Sequence, residues 1–228
     1  PYGWFWQNAE EQLNRPMLEE AIAGRAVDMQ QLFDAIMTVH AGMRGKKGLG
    51  AKFPMHYSET HRLLQWYPDC KIVHTTRNPK AVYASQSAKY LKAGQGRTHK
   101  AFQRFQQFVH INIQTTWTAR LHRSLRSLPN YLLVRYEDVV TEPRPQLETI
   151  CRFLDVPFQP AMLEPHQYGS SFDSIGAKSG VEQSSLDKWQ STISPVTAKM
   201  IDWLHPGANT LLGYSADERH KSSFRPSI

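Results

Sequence analysis

Two short apolar segments separated by a long helical stretch constrain the fold of this chain more than any other feature. The first, CKIVHTT (residues 70–76), and the second, YLLV (131–134), have the length and β-branched content of buried strands. The residues between them follow a helical period, so a helical crossover must join the two strands. Such a connection produces parallel strands. The sequence therefore predicts an α/β domain with a parallel sheet covered by helices on both faces.

Helical periodicity is strongest in residues 99–128. Large apolar side chains recur there at steps of three or four residues and predict one inward-facing stripe. They are Phe102, Phe105, Val109, Ile113, Trp117, Leu121 and Leu125. Another helix is expected directly after the first strand, because Asn78 and Pro79 are residue types typical of an N-cap and a first helical position.

Composition narrows the classes of protein that fit. The 228 residues suit one globular domain with a modest appendage, and Lys and Arg outnumber Asp and Glu by 27 to 20. The resulting charge of +7 suits an anionic partner without selecting one. Cys70 and Cys151 are too few for a disulfide framework or a metal site, which predicts free thiols and favours a reducing, cytoplasmic compartment. No apolar run in the sequence has the length of a membrane span.

An arginine follows the first strand, at the corner before the next helix. In an open parallel sheet, ligands collect beyond the carboxyl ends of the strands, where Arg77 would lie together with Lys52 and Tyr136 after two other strand ends. A guanidinium can bind a phosphate through two parallel hydrogen bonds, and the helix N-terminus beside it adds free amides and the positive end of a dipole. Ser85, two turns along that helix, could add a hydroxyl. In the alternative interpretation, Arg77 pairs with a carboxylate and Ser85 faces a neighbouring helix.

Five segments, in the right order, resemble motifs of the sulfotransferases that use 3′-phosphoadenosine 5′-phosphosulfate (PAPS). They are GAKFP, YPDCKIVHTTRNPKAVYASQ, YLLVRYEDVVTEPRPQLETICRFLDVPF, GVEQSSLDKWQSTISP and LLGY. The resemblance extends from about Lys52 to Tyr214. It implies a P-loop-NTPase-like, three-layer α/β/α fold with a small parallel sheet, in which residues 1–214 form a sulfotransferase-like domain and residues 215–228 a polar tail.

The resemblance also implies roles for individual residues. Arg77 and Ser85 correspond to the ligands of the 3′-phosphate, and Tyr136 corresponds to the tyrosine near the adenine. Lys52 corresponds to the lysine that stabilises charge around the transferring sulfuryl group. Trp189, in the Lys-Trp signature of a late loop, is expected to be a packing anchor. Three further residues lie where that loop closes over the nucleotide, namely Lys178, Ser179 and Gly180.

The acceptor hydroxyl or amine also needs a general base. Cytosolic members of the family supply a histidine two residues after the lysine, and Pro54 occupies that position here. His56 is the nearest substitute, and Glu19, Glu20 or an upstream carboxylate are further candidates. No metal is expected, because the sequence has no cluster of His, Cys and Asp that suggests one.

One element of the family is missing from this sequence. Sulfotransferases bind the 5′-phosphosulfate with a turn of the type Pro-Lys/Arg-Ser-Gly-Thr after the first strand, and no segment here matches it. GMRGKKGLG (42–50) contains glycines and lysines, but it immediately precedes Lys52, where that loop does not belong. We therefore expect the first strand and its loop to lie upstream, and this chain alone to be inactive.

The sequence thus predicts a sulfotransferase whose acceptor is a small molecule, a lipid, a glycan or a peptide tyrosine. A non-catalytic sulfotransferase-like domain remains an alternative. A P-loop nucleotide phosphotransferase would need a Gly-x-x-x-x-Gly-Lys-Ser/Thr loop, which the sequence lacks. A nucleic-acid-binding module would alternate aromatic residues with Lys and Arg on an exposed face, whereas the aromatic residues here follow the period of a core.

Overall fold

The computed structural model describes residues 15–23, 28–46, 48–52, 56–90, 96–164 and 186–214. The chain divides into two units, Pro1–Pro68 and Asp69–Ile228. Within the described parts, no helix is long and apolar enough to cross a membrane.

The first unit is helical in its described parts. Its elements are α1 (Arg15–Ile22), α2 (Met29–Met43), a 3-10 turn (His56–Ser58) and α3 (Thr60–Trp66). Helix α2 begins at a capping box, in which Asp28 accepts a bond from the Gln31 N–H at 2.8 Å and the Gln31 side chain accepts one from the Asp28 N–H at 3.0 Å. The Tyr67 hydroxyl donates to Asp34 at 2.6 Å and so ties the end of α3 to α2.

The short strand predicted at AKFP, closed by Pro54, lies partly outside the described residues, and the described residues that lead to Lys52 form no strand. Residues 48–52 have no regular secondary structure. A strand needs a neighbouring strand that satisfies its backbone groups, and the sheet found in the described residues pairs only two segments, both of them in the second unit.

The second unit carries the predicted sheet. Its elements are β1 (Ile72–Thr76), α4 (Pro79–Tyr90), α5 (Arg97–Leu125), β2 (Tyr131–Arg135), α6 (Tyr136–Thr141), α7 (Pro143–Leu154), a 3-10 turn (Pro160–Leu163), α8 (Lys188–Thr192), α9 (Pro195–Leu204) and α10 (Pro206–Leu211). Strands β1 and β2 pair in parallel, with Ile72 opposite Tyr131 and Thr76 opposite Arg135. The predicted α/β class with a small parallel sheet is therefore confirmed, and both strands end at the same edge of the sheet.

Helix α4 begins where the sequence predicts. The Asn78 side chain accepts a bond from the Lys80 N–H at 3.0 Å, and Pro79 occupies the first helical position. Further along the same turn, the Lys80 ammonium donates to the Asp202 carboxylate of α9 at 2.7 Å and lies 4.9 Å from the centroid of the Trp189 ring. These two contacts of a nearly buried lysine hold α8 and α9 against α4.

The prediction that one apolar stripe of the long helix α5 faces inward is wrong for most of the length of the stripe. Only Leu121 and Leu125 of the seven predicted residues are buried, and the other five are exposed. The buried face lies on the opposite side, where Ile111 packs with Tyr83 of α4 and Ile201 of α9. The helix is apolar on two opposite faces, and periodicity alone cannot tell which of them meets the rest of the unit.

A polar cluster is enclosed between the sheet and α5. The Tyr131 hydroxyl lies 2.8 Å from Nδ1 of His74 on β1 and 3.2 Å from Nδ1 of His122 on α5. Burial, with a smaller contribution from His122, lowers the pKa of His74 from 6.5 to about 4. Burial also lowers the pKa of His122, with Arg126 adding to the effect. Both imidazoles are therefore neutral in the folded protein near pH 7.

This cluster predicts that the second unit loses stability in mild acid. The pKa of His74 is lower in the folded than in the unfolded state, so the unfolded state binds more protons once the pH falls below about 6.5. The free energy of unfolding should be unaffected by His74 above pH 7 and should fall by up to about 3 kcal/mol towards pH 4. His74→Gln keeps a hydrogen-bonding group without a titration, so urea unfolding at a series of pH values should show a flatter profile for this variant.

The matched control is His110→Gln, which removes an exposed histidine from α5 and should leave the profile of the wild type unchanged. If the free energy of unfolding falls equally in acid for the wild type and for His74→Gln, His74 does not cause that fall.

Candidate functional site

The ends of the two strands bring the predicted arginine and tyrosine together. Because Thr76 lies opposite Arg135 in the parallel register, the residues that follow them, Arg77 and Tyr136, emerge side by side. The guanidinium carbon of Arg77 lies 4.4 Å from the centroid of the Tyr136 ring. A guanidinium stacked on an aromatic face is held in one plane.

Arg77 and Tyr136 line a cavity of about 250 Å³. The other lining residues come from the end of β1, the start of α4, the inner face of α5 and the segment after α10, namely Thr75, Thr76, Pro79, Val82, Ile111, Gln114, Thr115, Thr118 and Leu212. Its walls are apolar in part, and its polar groups come from the strand ends and from the inner face of α5. This combination is typical of a small-molecule site.

Gln114 is a polar residue of this cavity that the sequence did not reveal. Its side-chain carbonyl oxygen is buried and has no hydrogen-bond partner among the described residues. The neighbouring Thr115 hydroxyl, by contrast, already donates to the Ile111 carbonyl of its own helix at 2.8 Å. A buried acceptor without a partner is costly, so Gln114 is a group that a bound donor would satisfy. The sequence did not reveal Gln114 because the apolar pattern predicted that a different face of α5 is buried.

A carboxylate fixes the position of the strand ends. Oε1 of Glu137 accepts a bond from the Asn78 N–H at 2.8 Å, and Oε2 accepts one from the Tyr214 hydroxyl at 3.0 Å. Asn78 follows Arg77 in the chain, and Glu137 follows Tyr136. The stacked pair is therefore held in place by the hydrogen bond between the residues directly after it.

The first turn of α4 offers a ligand fewer amides than expected. The Asn78 N–H is bonded to Glu137, the Lys80 N–H is bonded to the Asn78 side chain, and Pro79 has no N–H. The helix end therefore contributes its dipole more than its amides, and an anion at this edge would be gripped mainly by side chains.

The LLGY segment closes the same edge from the other side. The Arg135 guanidinium lies 4.8 Å from the centroid of the Tyr214 ring and 3.8 Å from a carboxylate oxygen of Asp138. Gly213 has φ of +73°, a backbone conformation that favours glycine, and a Cβ at this position would come within 2.9 Å of an Arg135 nitrogen. Burial, reinforced by Glu137, raises the pKa of Tyr214 and keeps its hydroxyl protonated as a donor.

The other predicted site residues are not among the lining residues of this cavity, and some of them lie outside the described residues. Ser85 is exposed on α4 and does not line the cavity. Lys52 belongs to the first unit, where it is exposed, and His56 begins the 3-10 turn of that unit. Lys178, Ser179 and Gly180 lie outside the described residues.

The sequence of the chain matches a known protein family. Residues 5–160 match the model of the sulfotransferase family. The match covers more than half of the chain, and the chain belongs to this family. Membership favours the sulfotransferase interpretation over the P-loop nucleotide phosphotransferase that the sequence left as an alternative.

Several known proteins are similar to parts of this chain. The chain is 40% identical over 98 residues to cytosolic sulfotransferase 7 of Arabidopsis thaliana, covering 39% of this chain and 29% of the relative. It is 29% identical over 131 residues to sulfotransferase 2A1 of Macaca fascicularis, covering 51% of this chain and 44% of the relative. The chain thus spans less than half the length of these curated relatives. The sulfotransferase domain from the curacin biosynthetic pathway aligns over 86% of this chain and 82% of its own length, with a TM-score of 0.48 and 19% identity.

The contacts of Glu137 predict a coupled effect on stability. Glu137→Ala removes a charged acceptor from two donors and should lower the free energy of unfolding of the second unit by about 2 to 3 kcal/mol. Tyr214→Phe removes one of these bonds and should cost about 1 kcal/mol alone, but much less in the Glu137→Ala background. Urea unfolding of the two single variants and the double variant measures this coupling.

Glu142→Ala is the control, because Glu142 is an exposed carboxylate close in sequence and should change the unfolding free energy by less than about 0.5 kcal/mol. Strictly additive effects of the Glu137 and Tyr214 substitutions would mean that their hydrogen bond does not contribute to stability.

Proposed function

We propose that this chain takes part in the transfer of a sulfuryl group from PAPS to a hydroxyl or amine of an acceptor. The observation that carries the proposal is Arg77, which lies at the carboxyl end of β1, stacks on Tyr136 and lines a cavity at that edge of the sheet. Membership of the sulfotransferase family supports the reaction class. The resemblance of the sequence motifs supports PAPS as the donor.

The nucleotide would be bound at the two strand ends. The guanidinium of Arg77 has the geometry to grip the two oxygens of a 3′-phosphate, and the dipole of α4 adds to the attraction. Gln114 presents an acceptor for a donor group of the nucleotide within the same cavity. Ser85 is exposed on α4, so its hydroxyl can be reached by a phosphate that extends along the helix.

The chemical step is an in-line transfer. The bond between sulfur and the bridging oxygen of the donor breaks while the acceptor oxygen or nitrogen bonds to sulfur, and adenosine 3′,5′-bisphosphate leaves with the negative charge. Lys52 would stabilise that charge as it develops. The acceptor proton passes to a base, for which His56, Glu19 and Glu20 are candidates. The bond exchange needs no oxidant or reductant.

The cellular compartment and the chemical class of the acceptor are proposed from less specific observations than those at the nucleotide site. Two matched relatives are named cytosolic sulfotransferases, and Cys70 and Cys151 are free thiols, which together support a cytoplasmic reaction. The acceptor belongs to the classes with a free hydroxyl or amine, namely small-molecule alcohols, lipids, glycans and peptide tyrosines.

Calorimetric titration with adenosine 3′,5′-bisphosphate, on a chain extended by the upstream strand and loop that the sequence leads us to expect, tests the nucleotide site. Arg77→Ala should weaken binding by about 2 to 4 kcal/mol, because it leaves a bound phosphate without its charged partner. Arg77→Lys should recover only part of this loss, since an ammonium can neither bind bidentately nor stack as a plane on Tyr136.

Arg152→Ala, which removes an exposed arginine from α7, is the matched control and should leave the affinity unchanged. Equal affinities of the wild type and Arg77→Ala would exclude Arg77 from the site, and a wild type without affinity would favour the non-catalytic alternative.

A separate prediction concerns Lys52. An ammonium that acts on the leaving oxygen interacts more strongly in the transition state than with the bound substrate. In the full-length enzyme, Lys52→Ala should therefore lower the rate of single-turnover sulfuryl transfer by roughly 100-fold or more, while the affinity for adenosine 3′,5′-bisphosphate falls only a few-fold. Lys46→Ala, an exposed lysine of the same segment, should change neither quantity.

Equal losses of rate and affinity would make Lys52 a binding residue. No loss of either would identify it as an ordinary surface lysine.

A further inference from the structure

The first turn of α4 is held to α9 by a nearly buried ion pair. The Lys80 ammonium donates to both carboxylate oxygens of Asp202, at 2.7 and 2.8 Å. Lys80 is only 8% exposed, and its loss of hydration is compensated by this carboxylate and by the Trp189 ring, whose centroid lies 4.9 Å away. Neither Lys80 nor Asp202 is among the lining residues of the cavity at the strand ends. Any effect of this pair on a ligand there must therefore pass through other residues.

A series of hydrogen bonds leads from this ion pair back to the strand ends. Asn209 of α10 is buried, and its side-chain N–H donates to Asp202 through a long bond of 3.5 Å. The carbonyl oxygen of Asn209 accepts a bond from the Tyr214 N–H at 2.6 Å. The Tyr214 hydroxyl donates to Glu137, and the same carboxylate accepts the Asn78 N–H. The series that starts at α9 therefore ends at the residue that follows the strand-end arginine.

These contacts close into a ring at the start of α4. The Asn78 side chain accepts the Lys80 N–H at 3.0 Å, so the two ends of the series meet in one helical turn. The members of this ring, called the bracing ring below, are Asn78, Lys80, Asp202, Asn209, Tyr214 and Glu137. The first turn of α4 is thus held from two sides, by a carboxylate at the sheet and by a carboxylate of α9.

We propose that Lys80 and Asp202 are positioning residues of the candidate site, which set the place of Arg77 through the first turn of α4. Arg77 directly precedes Asn78 in the chain, so a shift of that turn along α9 moves the guanidinium relative to the Tyr136 ring on which it stacks. A binding group must be held within about 0.5 Å of its productive position. The consequence for nucleotide affinity rests on the proposed function, whereas the placement of Arg77 does not.

An ion pair suits this role because it fixes a position, whereas its contribution to stability is replaceable. Apolar residues of similar volume in place of a buried ion pair commonly leave stability unchanged or raise it. Two hydrogen bonds to one carboxylate have preferred lengths and directions, so they resist sliding of α4 along α9. Apolar contacts have no preferred direction. The effect of the pair on position can therefore be separated from its effect on stability by experiment.

The NMR signal of the Arg77 side chain tests the positioning without any ligand, on the same extended chain. Nε of Arg77 is buried, which slows exchange of its proton with water, and the ring current of Tyr136 makes its chemical shift sensitive to displacement. Arg77→Lys identifies the signal by removing it. Lys80→Met and Asp202→Asn should each shift this signal by more than its line width. Lys199→Met, which removes an exposed lysine from α9, is the matched control and should leave it unchanged.

Calorimetric titration with adenosine 3′,5′-bisphosphate measures the consequence for the site. Lys80→Met and Asp202→Asn should each weaken binding by about 10-fold, although neither residue lines the cavity. Asp202 is 37% exposed and asparagine has nearly its shape, so Asp202→Asn tests the proposal even if the loss of Lys80 prevents folding. Asp187→Asn, at an exposed carboxylate before α8, and Lys199→Met should bind like the wild type.

A double variant separates position from stability. Lys80→Met with Asp202→Leu leaves no buried charge without a partner, so its urea unfolding midpoint should return towards that of the wild type. The bracing ring stays open in this variant, and its affinity for the bisphosphate should remain about 10-fold below that of the wild type. A pair that acts only through the stability of the fold would instead let affinity recover together with the midpoint.

An Arg77 signal that stays in place in Lys80→Met and in Asp202→Asn overturns the proposal. Recovery of both affinity and stability in the double variant also overturns it, as does an equal effect in the two control variants. A wild type without affinity for the bisphosphate contradicts the proposed function instead, and the Arg77 signal then still decides whether the ion pair positions the guanidinium.

Discussion

The carboxylate of Glu137 is the point at which three separate segments of the second unit meet. It accepts one hydrogen bond from the Asn78 N–H at the start of α4 and another from the Tyr214 hydroxyl in the LLGY segment. Glu137 itself comes shortly after the end of β2 in the chain. A sheet with two strands in the described residues defines its edge weakly, because few ladder bonds constrain it. Charge-assisted hydrogen bonds supply the missing rigidity, and the stacking of Arg77 on Tyr136 depends on them.

The parts of the fold that local signals specify could be predicted from the sequence. The strand before Arg77, the cap at Asn78 and the strand before Tyr136 each depend on residues within a few positions, and the structure has all three. The orientation of α5 depends instead on which of two apolar faces meets α4 and α9. That choice is made by packing between distant segments. The five apolar residues at helical spacing from Phe102 to Trp117 were therefore predicted to be buried, but they are exposed in the structure.

The same distinction applies to the candidate site. Arg77 and Tyr136 could be identified because each immediately follows a strand, and parallel strands end together. Gln114 contributes through a helix that is remote in sequence, and Glu137 acts on a residue 59 positions away. Neither has a spacing that a sequence pattern can reveal. A resemblance of motifs covers Ser85 and Lys52, but it does not give their distance from the cavity.

The position of Tyr214 has a consequence for the order of events during synthesis. Glu137 and Tyr214 are 77 residues apart, so the ribosome makes the carboxylate several seconds before the hydroxyl that it binds. During that interval the nascent chain can pair β1 with β2, but the edge that carries Arg77 lacks its last contact. The candidate site is thus completed late in translation, and a chain that stops before residue 214 would have its two strands without the contact between Glu137 and Tyr214.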